Sequence, residues 1–149
     1  MLIAIFGESC TGKTTLAERI NAAAHGKIYS GKDYLRLAKS ESEAVQLFQI
    51  LLAGAVHGEN VIYVITEREH LALLPGGAIR ILVTAELDTI KERFSARTHG
   101  HLPAPVAAML EKKHGCFDED PHDFHVHNGY PDAGEICQSI FKLQEAAQA

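Results

Sequence analysis

The sequence predicts an α/β fold, a three-layer α/β/α sandwich around a five-stranded parallel sheet. Three observations predict it. Short apolar runs alternate with stretches of helical periodicity along the whole chain. The clearest runs are continuously apolar, as strands buried on both faces are. A glycine-rich turn joins the first run to the first amphipathic stretch, which is strand–loop–helix order.

Each element follows from local pattern. Leu2–Phe6 is an unbroken apolar run ended by Gly7 and reads as a buried parallel strand. Lys13–Ala24 places Leu16, Ile20 and Ala23 at helical spacing and stops near Gly26. Lys27–Ser30 is a weak second strand. Ser40 and Glu43 make a capping-box pair ahead of a helix whose face carries Ala44, Leu47, Phe48, Leu51, Leu52 and Ala55. Val61–Ile65 is the clearest strand, and residues 67–74 form a short helix ended by Pro75 and two glycines. Residues 78–83 are a fourth strand, and 86–97 a helix with Leu87, Ile90 and Phe94 facing in. A Gly/Pro/His loop at 98–105 leads to a short helix at 106–114. Phe124–His127 is the last strand, and Asp132 with Glu135 caps the closing helix.

The chain has 149 residues, which suits one domain and a real core. A net charge of −5 speaks against a general nucleic-acid binder, which needs a basic face. Three cysteines with no framework spacing predict free thiols in a reducing compartment. Leu2–Phe6 is too short for a secretory leader and runs into a functional loop, and no apolar run is long enough to cross a bilayer. The expectation is a cytoplasmic protein, monomeric or homodimeric.

Residues 7–14, Gly7-Glu8-Ser9-Cys10-Thr11-Gly12-Lys13-Thr14, match G-x-x-x-x-G-K-[ST] at every position. Gly7 and Gly12 let the backbone curl so that successive amides face phosphate oxygens. The helix after the loop adds the positive end of its dipole. Lys13 is expected to face solvent in the cradle and reach the β- and γ-phosphates. Thr14 supplies a hydroxyl for magnesium, and Thr15 continues the loop into the helix. The D-x-x-G and N-K-x-D signals of a GTPase are absent.

The chain resembles the nucleoside and nucleotide kinase group of P-loop proteins, which includes adenylate, cytidylate and shikimate kinases. The phosphate loop carries the resemblance most specifically, and shorter matches extend it over nearly the whole chain. It implies strand order 2-3-1-4-5 and transfer of the γ-phosphoryl of Mg-ATP to a small-molecule acceptor, a nucleoside or nucleotide first. The alternatives are a kinase for another metabolite, as in shikimate kinase, and a non-catalytic nucleotide-binding regulator.

Ser30-Gly31-Lys32-Asp33-Tyr34-Leu35-Arg36 resembles the acceptor-holding (S/T)-G-D-x-x-R segment, with Lys32 inserted before the aspartate. It implies that Asp33 holds the acceptor and acts as its base, with Arg36 on the acceptor's anion; a helix cap is the other reading of Asp33. Thr66-Glu67-Arg68 closes the third strand. There Glu67 takes the carboxylate position beside magnesium and Arg68 the acceptor, while a dipole-stabilising acid and a surface ion pair are the alternatives. Glu92-Arg93-Phe94-Ser95-Ala96-Arg97 is similar to the motif leading into a lid, here about 98–115. Arg97 is the candidate for the transferring phosphoryl. Arg93 either joins it or lies on a solvated face. Asn128, after the last strand, is a candidate for the nucleotide base. The histidines and cysteines around the lid lack finger spacing, so magnesium is expected and zinc is not.

Overall fold

In a computed structural model of the chain, residues 1–148 are described. Five strands form one sheet, β1 (Leu2–Phe6), β2 (Lys27–Ser30), β3 (Val61–Ile65), β4 (Ile79–Thr84) and β5 (Phe124–His127). Every pairing is parallel and the order is β2-β3-β1-β4-β5. The helices are α1 (Lys13–Ala24), α2 (Glu41–Ala55), α3 (Leu87–Arg97), α4 (Ala104–Lys113) and α5 (Ala133–Gln148).

Strand alternation divides the core into two layers. Ile3, Ile5, Ile81, Val83 and Val126 pack against Leu16 and Ile20 of α1 and Ile136 and Ile140 of α5. Leu2, Phe6, Tyr63, Ile65 and Leu82 face the other way, onto Phe48 and Leu52 of α2 and onto Phe117. Phe48 is fully buried and packs edge-on to Tyr63 at 4.8 Å. Truncating such a residue to alanine costs about 3–5 kcal/mol.

The caps hold where the sequence puts them. The Ser40 hydroxyl accepts from the Glu43 amide at 3.3 Å, and the Asp132 carboxylate from the Glu135 amide at 2.9 Å. Some boundaries move. β4 begins one residue later than expected, and α4 begins at Ala104, inside the predicted loop. Pro103 and Pro105 do not delay α4, because the first turn has no intrahelical use for their missing amides. Residues expected as a helix after β3 form a 3-10 turn, Arg68–Leu73, and another runs over Asp33–Leu37. Among the described residues no helix is long and apolar enough to cross a membrane.

The two faces of β5 meet different surroundings. Phe124 and Val126 turn into the layer under α5, whereas His125 and His127 lie exposed on the opposite face. Asp123 pins the start of β5, its amide donating to the Arg80 carbonyl and its carboxylate accepting from the Arg80 amide, both at 2.8 Å.

Candidate active site

The loop between β1 and α1 is built by close approach. A Cβ on Gly7 would lie 2.1 Å from the Val83 carbonyl oxygen, so only glycine fits. Gly12 has φ 99°, the left-handed turn that starts α1. Cys10 is also left-handed, at φ 63°, and is buried against Ala85, Ile90 and Leu110. It serves as a small apolar side chain between the loop and the α3–α4 hairpin. The Thr11 hydroxyl donates to the Glu8 carbonyl at 2.9 Å.

Lys13 corrects one expectation. It is only 5% exposed, not solvent-facing. Its Nζ donates to the Glu8 carbonyl at 2.5 Å. Its pKa is lowered to about 8, chiefly by burial, with Arg97 adding to the shift and Cys10 and Glu8 opposing it. A buried ammonium held by a single carbonyl is poised for an anion. The residues fit a triphosphate, with a glycine-shaped cradle, a desolvated lysine and a helix start together.

A groove of about 360 Å³ opens from the loop toward α1 and α5. Thr15, Arg93 and Arg97 line it, as the sequence suggests, and the Arg93 guanidinium donates to the Cys10 carbonyl at 3.1 Å. Arg19, Gly129 and Pro131 line it too, beyond the residues that the motifs single out. Arg19 had a signal, standing one helical turn after Thr15. Asn128 is placed differently from expectation. Its side-chain oxygen accepts from the Glu86 amide at 3.2 Å, fastening the end of β5 to the start of α3 rather than lining the groove.

On the β3 side, Thr14 and Glu67 are both exposed. Glu67 lies 4.0 Å from Lys113 and shares a cavity of only about 40 Å³ with Ser9. Arg68 is engaged. Its guanidinium donates twice to the Asp120 carboxylate, at 3.0 Å each, and that partner raises its pKa. The surface ion pair, not an acceptor contact, is what this structure gives Arg68. The Asp33 carboxylate accepts from the Ser30 amide at 2.9 Å and closes the turn behind β2, so it is no helix cap. Arg36, three residues on in a 3-10 turn, falls on the same side and is exposed.

Glu8 holds a role its loop position did not announce. Its side chain is 8% exposed and turns toward the end of α4, where it accepts from His114 Nδ1 and the Gly115 amide, both at 3.1 Å. Beside it lies a cleft of about 320 Å³, over the β4–β5 face. His122, His125, His127 and Asp118 line it. The Thr84 hydroxyl lies 2.7 Å from His125 Nε2 and 2.8 Å from His127 Nδ1, and His127 Nε2 lies 3.2 Å from Glu86. Burial lowers the His125 pKa, and His122 and His127 lower it further. Among the described residues no three His, Cys, Asp or Glu side chains stand where they would hold a metal ion.

No family model and no curated protein matches the chain. Solved structures do match it. A sugar kinase from Janibacter superposes with a TM-score of 0.62 at 16% identity, over 96% of this chain and 93% of that one. Shikimate kinase from Acinetobacter baumannii gives 0.62 at 12%, over 97% and 93%. The YorR protein of Bacillus subtilis, solved with phosphorylated GDP, gives 0.62 at 20%, over 98% and 97%. The fold is that of the P-loop kinases. At these identities the likeness fixes the fold alone. The P-loop kinase fold also accounts for the clustering of Gly7–Lys13, Arg93 and Arg97 at the carboxyl ends of the strands, where open α/β sheets hold their ligands.

Proposed function

We propose that the protein is a cytoplasmic, magnesium-dependent phosphotransferase that moves the γ-phosphoryl of ATP to a hydroxyl of a small molecule. The observation that carries this reading is the phosphate loop with its buried Lys13 opening into the groove of Arg93 and Arg97. Lys13 gives up the Glu8 carbonyl for phosphate oxygens. Arg97 stabilises charge on the transferring group and Arg93 the nucleotide, with Gly129 and Pro131 as the walls around the base. Thr14 and Glu67 offer the hard oxygen ligands that magnesium takes. A magnesium ion held by them would supply positive charge that offsets the phosphate charge. The helix hairpin and loop over about 98–115 act as a lid that excludes water.

A nucleoside or nucleotide is the first acceptor suggested by resemblance. One observation favours a non-nucleotide or uncharged acceptor instead. Arg68, one of the cations that would meet an acceptor phosphate, is already paired with Asp120. Purified protein with Mg-ATP and a panel of nucleosides, nucleotides, sugars and shikimate tests the reading. Acceptor-dependent ADP release is the expected result. Tight Mg-ATP binding with no transfer to any acceptor would leave a regulator in its place.

A further inference from the structure

The phosphate loop carries an acidic side chain at its second residue. Glu8 is 8% exposed. A desolvated carboxylate repels phosphate, and a protein interior screens that repulsion far less than water does. The rest of the loop leaves the carboxylate alone. Thr11 and Lys13 donate to the Glu8 backbone carbonyl, at 2.9 and 2.5 Å. The side chain turns to the far end of α4 instead, where one oxygen accepts from His114 Nδ1 and the other from the Gly115 amide, each at 3.1 Å. Those donors stand 106 and 107 positions along the chain, in the segment that the phosphotransferase reading takes as a lid.

We propose that Glu8 makes phosphate binding conditional on lid docking. With His114 and Gly115 in place the carboxylate is satisfied and the loop admits a triphosphate; with the lid end away, the bare carboxylate opposes it. This rests on the phosphotransferase reading and deepens it by naming a regulation of the same site. Glu8 is a positioning residue, acting through the lid and not on the reacting atoms.

Two N–H donors offset much of the cost of a buried carboxylate, and their loss leaves an uncompensated anion beside the incoming one. The carboxylate lies within electrostatic range of the lysine that meets the phosphates. Burial is the main cause of the lowered Lys13 pKa, and Glu8 is among the groups that oppose the shift. Linkage makes the effect reciprocal, so a bound triphosphate also favours the docked lid. The lid's other fastening is of a different kind. Cys10 packs against Ile90 of α3 and Leu110 of α4. Apolar packing of that sort does not tell an occupied loop from an empty one, whereas the Glu8 contact does.

A double-mutant cycle on the full-length protein tests the proposal. Each variant is titrated calorimetrically with Mg-ATP, and with tripolyphosphate to read the phosphates alone, beside a melting curve. His114→Ala strips a donor from the buried carboxylate and should weaken both probes about tenfold. Glu8→Gln removes the charge at nearly the same shape and should bind both as well as wild type or better. The double variant should recover the affinity that His114→Ala loses. His114→Asn, whose amide can still donate to Glu8, should retain it. A Glu8→Gln loss as large as that of His114→Ala, or no recovery in the double variant, overturns the proposal. Hydrogen exchange on wild-type protein needs no variant: the Gly115 amide should exchange more slowly with tripolyphosphate bound, and unchanged exchange overturns it too. Wild-type protein that binds Mg-ATP but passes phosphoryl to no acceptor ends the phosphotransferase reading, while the cycle still decides the role of Glu8.

Discussion

The two flanks of the phosphate loop are of similar volume and opposite chemistry. Toward α1 and α5 the groove is basic, with Arg19, Arg93 and Arg97. Over β4 and β5 the cleft holds imidazoles and carboxylates without a lysine or arginine among the described residues. The contrast teaches that charge sorts the ligands. The first side suits a triphosphate, and on the second Glu8, Glu86 and Asp118 disfavour a further anion.

The largest effect expected is at the junction of the flanks. Lys13→Ala should lower turnover by about 10³-fold or more while the fold survives, because the lysine's partner is one carbonyl. Steady-state kinetics and a melting curve check it, and near wild-type turnover would end the contrast. On the basic flank, Arg97→Ala should lower kcat about 10²-fold with the melting temperature retained, and undiminished kcat would remove Arg97 from the transfer step.

Asp33 separates the sequence reading from the structural one. As acceptor base, Asp33→Asn should cost about 10²-fold in rate. As a residue that only closes the turn on the Ser30 amide, it should cost less than about tenfold. Steady-state kinetics of Asp33→Asn decide between them.

A pH series sharpens the basic flank. Lys13 titrates near 8 in the folded protein against 10.5 as its ordinary value. Across that window the unfolded chain binds more protons, so the free protein's stability contribution from Lys13 rises with pH. ATP affinity should fall over the same window as the ammonium is lost. Calorimetric titration at stepped pH reads this, and flat affinity would argue against phosphate contact by Lys13. The smallest effect is Arg68→Ala. An exposed pair with Asp120 contributes about 0–1 kcal/mol, so a slight drop in melting temperature is expected, with kcat unchanged.

Much of the fold is legible in the sequence because its signals are local. Five apolar runs, two cap pairs and one phosphate motif place every strand to within a residue. The helix after β4 and its two arginines are legible too, since helical spacing puts Arg93 and Arg97 on one side. Side-chain direction is not. The family resemblance aims Asn128 at the nucleotide, and its side chain holds the Glu86 amide ahead of α3 instead. Lys13 looks solvent-facing from its loop position and is buried. Arg68 stands between acceptor and ion pair in the sequence, and Asp120, distant along the chain, takes it.

By itself the sequence determined the alternation of strands and helices, the phosphate loop and the identity of the cations after β4. These rest on periodicity, glycine conformations and residue type within a few positions of one another. Tertiary structure alone decided that Glu8 meets His114, that Thr84 links His125 to His127, and that the space beside β3 is filled while the space over β5 is open. Those contacts join residues 41 to 106 positions apart. No local pattern encodes them, because β4 and β5 are parallel neighbours joined by a long crossover that separates their residues along the chain.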